Sequence, residues 1–340
     1  MEFMVPIDIK KPARQITYGN RLLLVGSCFT EHIGQTLSDL KFSVLQNPHG
    51  ILFDPASVTG SLLACVENRA YSPDDLFQLN ELWHSWDHHS RFSGTDPASC
   101  LHAINASLQQ AHAFLKQADW LIITLGSAFS YRLTGEAARA AVPNSRIMVP
   151  GRPVANCHRA PAQWFQKHLM AIEEIQAALD TCYHRLIRFN PNLQILFTVS
   201  PVRHIRDGVV ENNRSKARLL EAVHHLTAKF PNLYYFPAYE LVIDVLRDYR
   251  FYDADLVHPN YMATEFVMER FSEACVTEES RQLMQEVRRL TIARKHKPFH
   301  PHTVAHRQFL QSHLEKARIL AARYPFLDLR EELAYFGGAQ

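Results

Sequence analysis

The hydrophobic pattern switches period repeatedly along the chain. Arg21 to Val25 is a near-continuous apolar run, as in a parallel strand covered on both faces, and it ends in Gly26-Ser27-Cys28-Phe29. Phe29, Ile33, Leu37 and Leu40 then recur at helical spacing, which predicts a helix with one buried side. Phe42 to Leu45 predicts a short second strand, and Pro55 opens a helix through about Cys65. Pro97 to Gln117 has helical period through Ile104, Leu108, Ala111 and Leu115, and Asp119 to Gly126 predicts a second buried strand ending in glycine. Pro161 to Phe189 predicts one long helix, striped by Trp164, Leu169, Ile172, Ile175, Leu179 and Leu186. Asn192 to Ser200 and Leu233 to Phe236 predict strands, Ser215 to Phe230 and Ala238 to Leu246 helices, and Asn260 caps a further helix. Strands separated by helices at least four times over predict a doubly wound α/β sheet.

Beyond residue 276 the pattern becomes helical and charged. Glu278 to Arg294 and Val304 to Arg323 predict two long helices around a Lys/His/Pro break. The expected organisation is therefore an α/β domain over 1–275 and a helical C-terminal extension over 276–340. The extension is a candidate for packing on the sheet, covering the site, or joining two copies as a homodimer.

Composition narrows the function classes. With 340 residues and 47% hydrophobic content the chain can bury a sizeable core. A formal net charge of +2 offers no basic field for nucleic acid. No stretch reaches the roughly 18 apolar residues that would span a bilayer. The first residues lack the apolar core of a signal peptide, and the six cysteines are scattered without a C-x-x-C pair. A cytoplasmic protein with reduced thiols is expected.

Two places carry chemistry. Ser27, at the carboxyl edge of the first strand and the start of a helix, has free backbone N–H groups and a positive helix end beside it. Serine is also a favoured N-cap, the plainer account of the same position. Cys28 offers a thiolate nucleophile at the same helix end, against the expectation that it packs beneath the turn. Far downstream, Asp255-Leu256-Val257-His258 has a three-residue step that can fold the carboxylate onto Nδ1 of the imidazole, leaving Nε2 to take a proton from a serine hydroxyl. The run Tyr71 to Thr95 is dense in aromatic residues and histidine. It reads as an excursion plugging Trp83, Trp86 and Phe92 into the domain, or as a substrate wall. A metal site at His84, Asp87, His88 and His89 matches no established spacing, and His296, His300, His302 and His306 read as solvated loop residues.

Gly26-Ser27-Cys28-Phe29 resembles the name-giving motif of the GSCFA family, a branch of the SGNH (GDSL-like) hydrolases. Asn47-Pro48-x-Gly50, Leu125-Gly126-Ser127, Asn156-Cys157-His158, Ser200-Pro201-Val202-Arg203-His204, Ser215-Lys216-Ala217 and Asp255-x-x-His258-Pro259 extend the resemblance from about residue 20 to 275. It implies a flavodoxin-like parallel sheet and an esterase that needs neither metal nor organic cofactor. Ser27 would be the nucleophile, His258 the general base and acid, and Asp255 the residue that orients the imidazole. Gly50 resembles the glycine whose N–H joins that of Ser27 in the oxyanion hole.

The sequence departs from the SGNH pattern after the middle strand. Gly126-Ser127-Ala128-Phe129 stands where a G-x-N-D block supplies an oxyanion asparagine. Asn156 is the expected substitute, with Ser127 a weaker one. Asn47, Ser127, His158, Arg203 and His204 are the expected substrate-binding residues. They suit a small acyl group on a polar carrier such as a sugar. An O-acyltransferase using the same residues, and a non-catalytic ligand-binding module on the same fold, are the alternatives.

Overall fold

Alternate residues of the buried strands feed two different cores. Leu22, Leu24, Trp120, Ile122 and Leu196 belong to one apolar cluster; Leu23, Val25, Leu121, Ile123, Ile195 and Phe197 belong to another. A strand whose side chains are buried on both faces must lie inside a sheet covered by helices on both sides. The computed structural model, which describes residues 4–139 and 147–338, has this architecture.

In chain order the elements are β1 (Arg21–Gly26), α1 (Cys28–Asp39), β2 (Ser43–Gln46), α2 (Pro55–Glu67), the hairpin β3 (Phe77–Leu79) and β4 (Leu82–His84), and α3 (Pro97–Leu115). There follow β5 (Trp120–Leu125), β6 (Phe129–Leu133), α4 (Gly135–Arg139), β7 (Pro153–Val154), β8 (Phe165–Leu169), α5 (Ile172–Phe189), β9 (Gln194–Val199), α6 (Val209–Lys229) and β10 (Leu233–Tyr235). One α-helical turn, α7 (Ala238–Glu240), continues as a π-helix over Leu241–Leu246 and is followed by α8 (Tyr261–Cys275), α9 (Glu278–Lys295), α10 (Val304–Arg323) and α11 (Arg330–Phe336). The central sheet runs β2-β1-β5-β9-β10 with every pairing parallel. Counted by sheet strands alone this is the flavodoxin-like order 2-1-3-4-5. The order reverses at β1, so a crevice opens outside the carboxyl ends of β1 and β5, where Ser27 sits.

Asn260 caps α8, its Oδ1 accepting the Ala263 N–H at 3.2 Å. The single helix expected from Pro161 to Phe189 is instead a short 3-10 turn over Ala162–Trp164, a strand and a later helix. Phe165–Leu169 pairs antiparallel with β6, and the helix begins only at Ile172. Phe165, Lys167 and Leu169 fit a strand's alternation as readily as a helical stripe, and the partner strand β6 decides between them. The aromatic excursion is a hairpin whose Trp86 is wholly buried, with Trp83 and Phe92 part-buried.

The tail packs on the body of the molecule. Leu283, Val287, Leu290, Ala317, Leu320 and Phe336 share one apolar cluster with Leu22, Leu24 and Phe29. Glu332, 0% exposed, meets Lys41 at 3.1 Å and Arg294 at 2.9 Å, an ion pair across the junction. Replacing one such core leucine by alanine costs about 2–5 kcal/mol. Among the described residues no helix is long and apolar enough to cross a membrane.

Candidate functional site

The turn after β1 is set by backbone requirements. Gly26 has φ +151°, and a Cβ there would lie 2.3 Å from the Thr124 carbonyl oxygen and 2.8 Å from Thr30 Oγ1. Only glycine fits this approach between neighbouring strand ends. The Gly26 N–H donates to Asn47 Oδ1 at 2.9 Å, and the Asn47 N–H donates to the Leu24 carbonyl at 2.8 Å. Asn47, expected to bind substrate, is 0% exposed and acts as the fastening of this corner. Ser27 follows at the N-cap position of α1, yet its hydroxyl caps nothing. Its Oγ is buried and has no hydrogen-bond partner.

The Asp255 loop is a local construction. Oδ1 of Asp255 accepts the N–H of Val257 at 2.8 Å and that of His258 at 3.0 Å, and Oδ2 accepts Nδ1–H of the His258 ring at 2.6 Å. These bonds, the ring's first, hold the Asp255 carboxyl down at about 2. A donor at Nδ1 leaves the Nε2 lone pair free. Leu256 turns the loop at φ +60°. The loop is tied to the chain after β9 by the Arg203 N–H, which donates to the Val257 carbonyl at 3.2 Å.

Ser27 and His258 line one cavity of about 320 Å³, together with Cys28, Phe53, Arg203 and His204. Larger hollows of about 570, 620 and 460 Å³ lie between α1, α8 and α9, beneath the N-terminal segment, and along the outer side of α1; the last shares Cys28 with this cavity. Cys28, expected beneath the turn, is half-buried and faces this cavity. Burial pushes its thiol up, which disfavours the thiolate. His204 leans on Phe53 with ring centroids 5.0 Å apart, and its backbone N–H donates to Asn212 Oδ1 at 2.9 Å. Burial, aided by the charge of Lys216, lowers its imidazole to about 4, so it stays neutral.

Several expected site residues have other employment. The Gly50 N–H donates to the Asn47 carbonyl at 2.8 Å and the Ser27 N–H to the Thr124 carbonyl at 3.2 Å, so both expected oxyanion donors are engaged. Asn156 Oδ1 accepts the His158 N–H at 2.8 Å, and Asn156 is not among the residues lining the cavity. Ser127 Oγ lies 3.2 Å from Ser215 Oγ and accepts the Phe129 N–H at 3.1 Å, in the interior. Nε2–H of His158 donates to the Ser85 carbonyl at 2.8 Å beside Trp86, and burial lowers this imidazole to about 4. These three side chains therefore support the excursions around the site.

His84 and His88 are likewise bonded to Ser93 and Ser85 hydroxyls, and Asp87 to Arg152. Among the described residues no His, Cys, Asp and Glu side chains group to hold a metal ion.

One buried group was not singled out by its residue type. Lys216 on α6 is 1% exposed, and its Nζ donates to the carbonyls of Gly126 and Ser200, each at 2.6 Å. It bridges the carboxyl ends of β5 and β9, from which the loops of the site depart. Burial lowers the amine to about 7, and a neutral amine still has two N–H groups for the two carbonyls. The signal was in the pattern: Asn212, Ser215 and Lys216 lie on the same buried helix stripe as Leu219, Val223 and Leu226.

Residues 21–271 match the GSCFA family. The chain belongs to the GSCFA family. A second match, to the C-terminal domain of GSCFA domain proteins, covers residues 287–337 of this GSCFA chain. No curated protein matches it. Among solved structures the GSCFA chain is similar to an acetyl xylan esterase (Est2A) from the rumen bacterium Butyrivibrio proteoclasticus. That similarity has a TM-score of 0.34 and 12% identity, over 76% of this chain and 64% of the esterase. The GSCFA chain thus spans less than two thirds of that esterase's length, and so distant a likeness says nothing of what it binds.

Proposed function

We propose that this chain is a serine esterase of the SGNH type, with Ser27 as nucleophile, His258 as base and Asp255 as the group that orients it. The observation that carries the reading is the shared cavity. It brings an unbonded serine hydroxyl together with an imidazole whose Nδ1 is already committed to a carboxylate. In this reading Ser27 Oγ attacks the ester carbonyl while His258 Nε2 takes its proton, and Asp255 stabilises the imidazolium. His258 then returns the proton to the leaving alkoxide, and water, deprotonated by the same nitrogen, releases the acid. The serine and imidazole are not hydrogen-bonded to each other here; such contacts commonly tighten only when substrate binds.

The oxyanion would compete with Asn47 and Thr124 carbonyls for the Gly50 and Ser27 N–H groups, which favours a modest catalyst. Transfer to an acceptor hydroxyl in place of water would use the same residues. Six free cysteines suit action in a reducing compartment such as the cytoplasm. Engagement of both backbone donors also favours a second reading, a ligand-binding module without turnover.

Hydrolysis of p-nitrophenyl acetate and butyrate by the wild type and by Ser27→Ala, His258→Ala and Cys28→Ala separates these readings. An esterase of this kind loses turnover in the first two variants and keeps it in the third. No turnover by the wild type would leave the binding module.

A further inference from the structure

The wall of the Ser27 cavity carries positive charge that the fold leaves unanswered. Arg203 and Arg206 both line it, and no aspartate or glutamate does. Among the described residues neither guanidinium forms a salt bridge, although many arginines elsewhere in the chain do, including Arg69, Arg132, Arg152 and Arg185. The carboxylates next to this wall in the chain are otherwise paired. Asp255 is bound to the His258 ring at 2.6 Å, and Asp207 is paired with Lys167.

Arg203 is nevertheless held in place. Its guanidinium lies 4.5 Å from the ring centre of Tyr252 and 5.2 Å from that of Tyr249, and it donates to the Tyr249 hydroxyl at 3.3 Å. Aromatic faces orient a guanidinium without neutralising it, and leave most of its five N–H donors free. On the same loop, Arg206 is exposed and makes no side-chain hydrogen bond among the described residues. A pair of arginines, one pre-oriented and one free to swing, beside the proposed nucleophile, with neither paired to a carboxylate and none lining the cavity, is an anion-recognition arrangement.

Resting on the esterase reading above, we infer that the substrate is an anionic ester, one whose acyl or alcohol half carries a carboxylate or phosphate held by Arg203 and Arg206. The anion settles against the two guanidiniums and presents the ester carbonyl to Ser27. A neutral ester lacks that anchor and binds only through the apolar walls at Ile51, Phe53 and Val257. Attraction between exposed charges is screened by salt, so the preference weakens as ionic strength rises.

Two matched pairs of esters test this. Mono-p-nitrophenyl glutarate against p-nitrophenyl butyrate puts the charge on the acyl half; 3-acetoxybenzoate against phenyl acetate puts it on the alcohol half. In at least one pair the wild type is expected to favour the anion in kcat/KM by about tenfold or more, and Arg203→Gln or Arg206→Gln to bring that ratio toward parity. Arg206→Glu is expected to lower it further. Turnover of the neutral esters with no preference for the anion in either pair would overturn the inference while leaving the esterase reading intact.

Calorimetric titration of glutarate and 3-hydroxybenzoate into Ser27→Ala reads the anion site without chemistry. Binding weakened about tenfold by either arginine substitution supports the site even where no ester is hydrolysed. Absence of binding by both anions overturns it.

Discussion

The two halves of the candidate site are held by opposite means. Ser27 is 2% exposed, at a corner fixed by contacts remote in sequence: Asn47 on the Gly26 N–H, and the Thr124 carbonyl against Gly26 and Ser27. Asp255 and His258 are about half exposed, 48% and 46%, on a loop shaped mainly by one carboxylate bonding residues two and three positions on. The proposed nucleophile is thus built into the end of a covered sheet, where packing prevents drift, while its proposed base stands on a solvent-facing loop. The serine half should be fragile to any added atom, and the histidine half tolerant of change outside the two functional side chains.

The sharpest break is chemical. Ser27→Ala is expected to lower ester turnover by about a thousandfold or more without changing the thermal midpoint much, since the hydroxyl makes no bond in the fold. Asp255→Asn is expected to cost roughly a hundredfold or more by disturbing the ring's tautomer. With its carboxyl held down at about 2, Asp255 stays ionised through the neutral range and adds no step to the pH profile there. Its hydrogen bonds are lost only as pH falls toward that value.

Next in size is the structural break of the serine half. Gly26→Ala drives a methyl to 2.3 Å from the Thr124 carbonyl oxygen, and a loss of roughly 2–4 kcal/mol in urea unfolding is expected, with turnover falling alongside. Asn47→Ala removes one bond from the same corner and is expected to cost about 1–3 kcal/mol.

How much of this could be read from the chain follows the same division. The Asp255 to His258 step is local, so four residues of sequence suffice to suggest the fold of the loop. The strand-to-helix passage at Ser27 was legible because strand and helix periods meet at a glycine. The employment of Asn47, Ser127 and His158 was not, because each is set by a partner far away in sequence: Gly26, Ser215 and Ser85. Polar residues near a strand end look alike in sequence whether they face a substrate or a neighbouring backbone. β8 was hidden for a related reason, since only its pairing with β6 distinguishes Phe165–Leu169 from the helix that follows. The burial of Lys216 needed its stripe on α6 to be read as polar residues on a core face.

A smaller effect concerns pH. Burial holds His49, His158 and His204 near about 4, below the ordinary 6.5, so each is neutral in the folded chain at pH values where the unfolded chain takes up a proton. Their sign is therefore destabilising on acidification. Stability should fall as pH drops from about 6.5 toward 4, by at most about 1.4 kcal/mol per pH unit for each group. Urea midpoints across that window check this, and His49→Leu should flatten the slope, since both nitrogens of His49 are buried without partners.

The smallest effect is expected at Leu256. Relieving its φ of +60° with Leu256→Gly should change stability by about 1 kcal/mol or less, because the strain removed is offset by a looser unfolded chain. If Asp255 alone shapes the loop, turnover in that variant stays within about fivefold of the wild type. A larger loss would show that the loop backbone contributes as much as the carboxylate.

The central claim is that Ser27 is the nucleophile and His258 its base. Peptide mass spectrometry after reaction with a fluorophosphonate probe tests it most directly, on the wild type, Cys28→Ala and His258→Ala. The account requires the phosphonyl adduct on Ser27, retained in Cys28→Ala and lost or greatly slowed in His258→Ala. An adduct elsewhere, or none in the wild type, would contradict it.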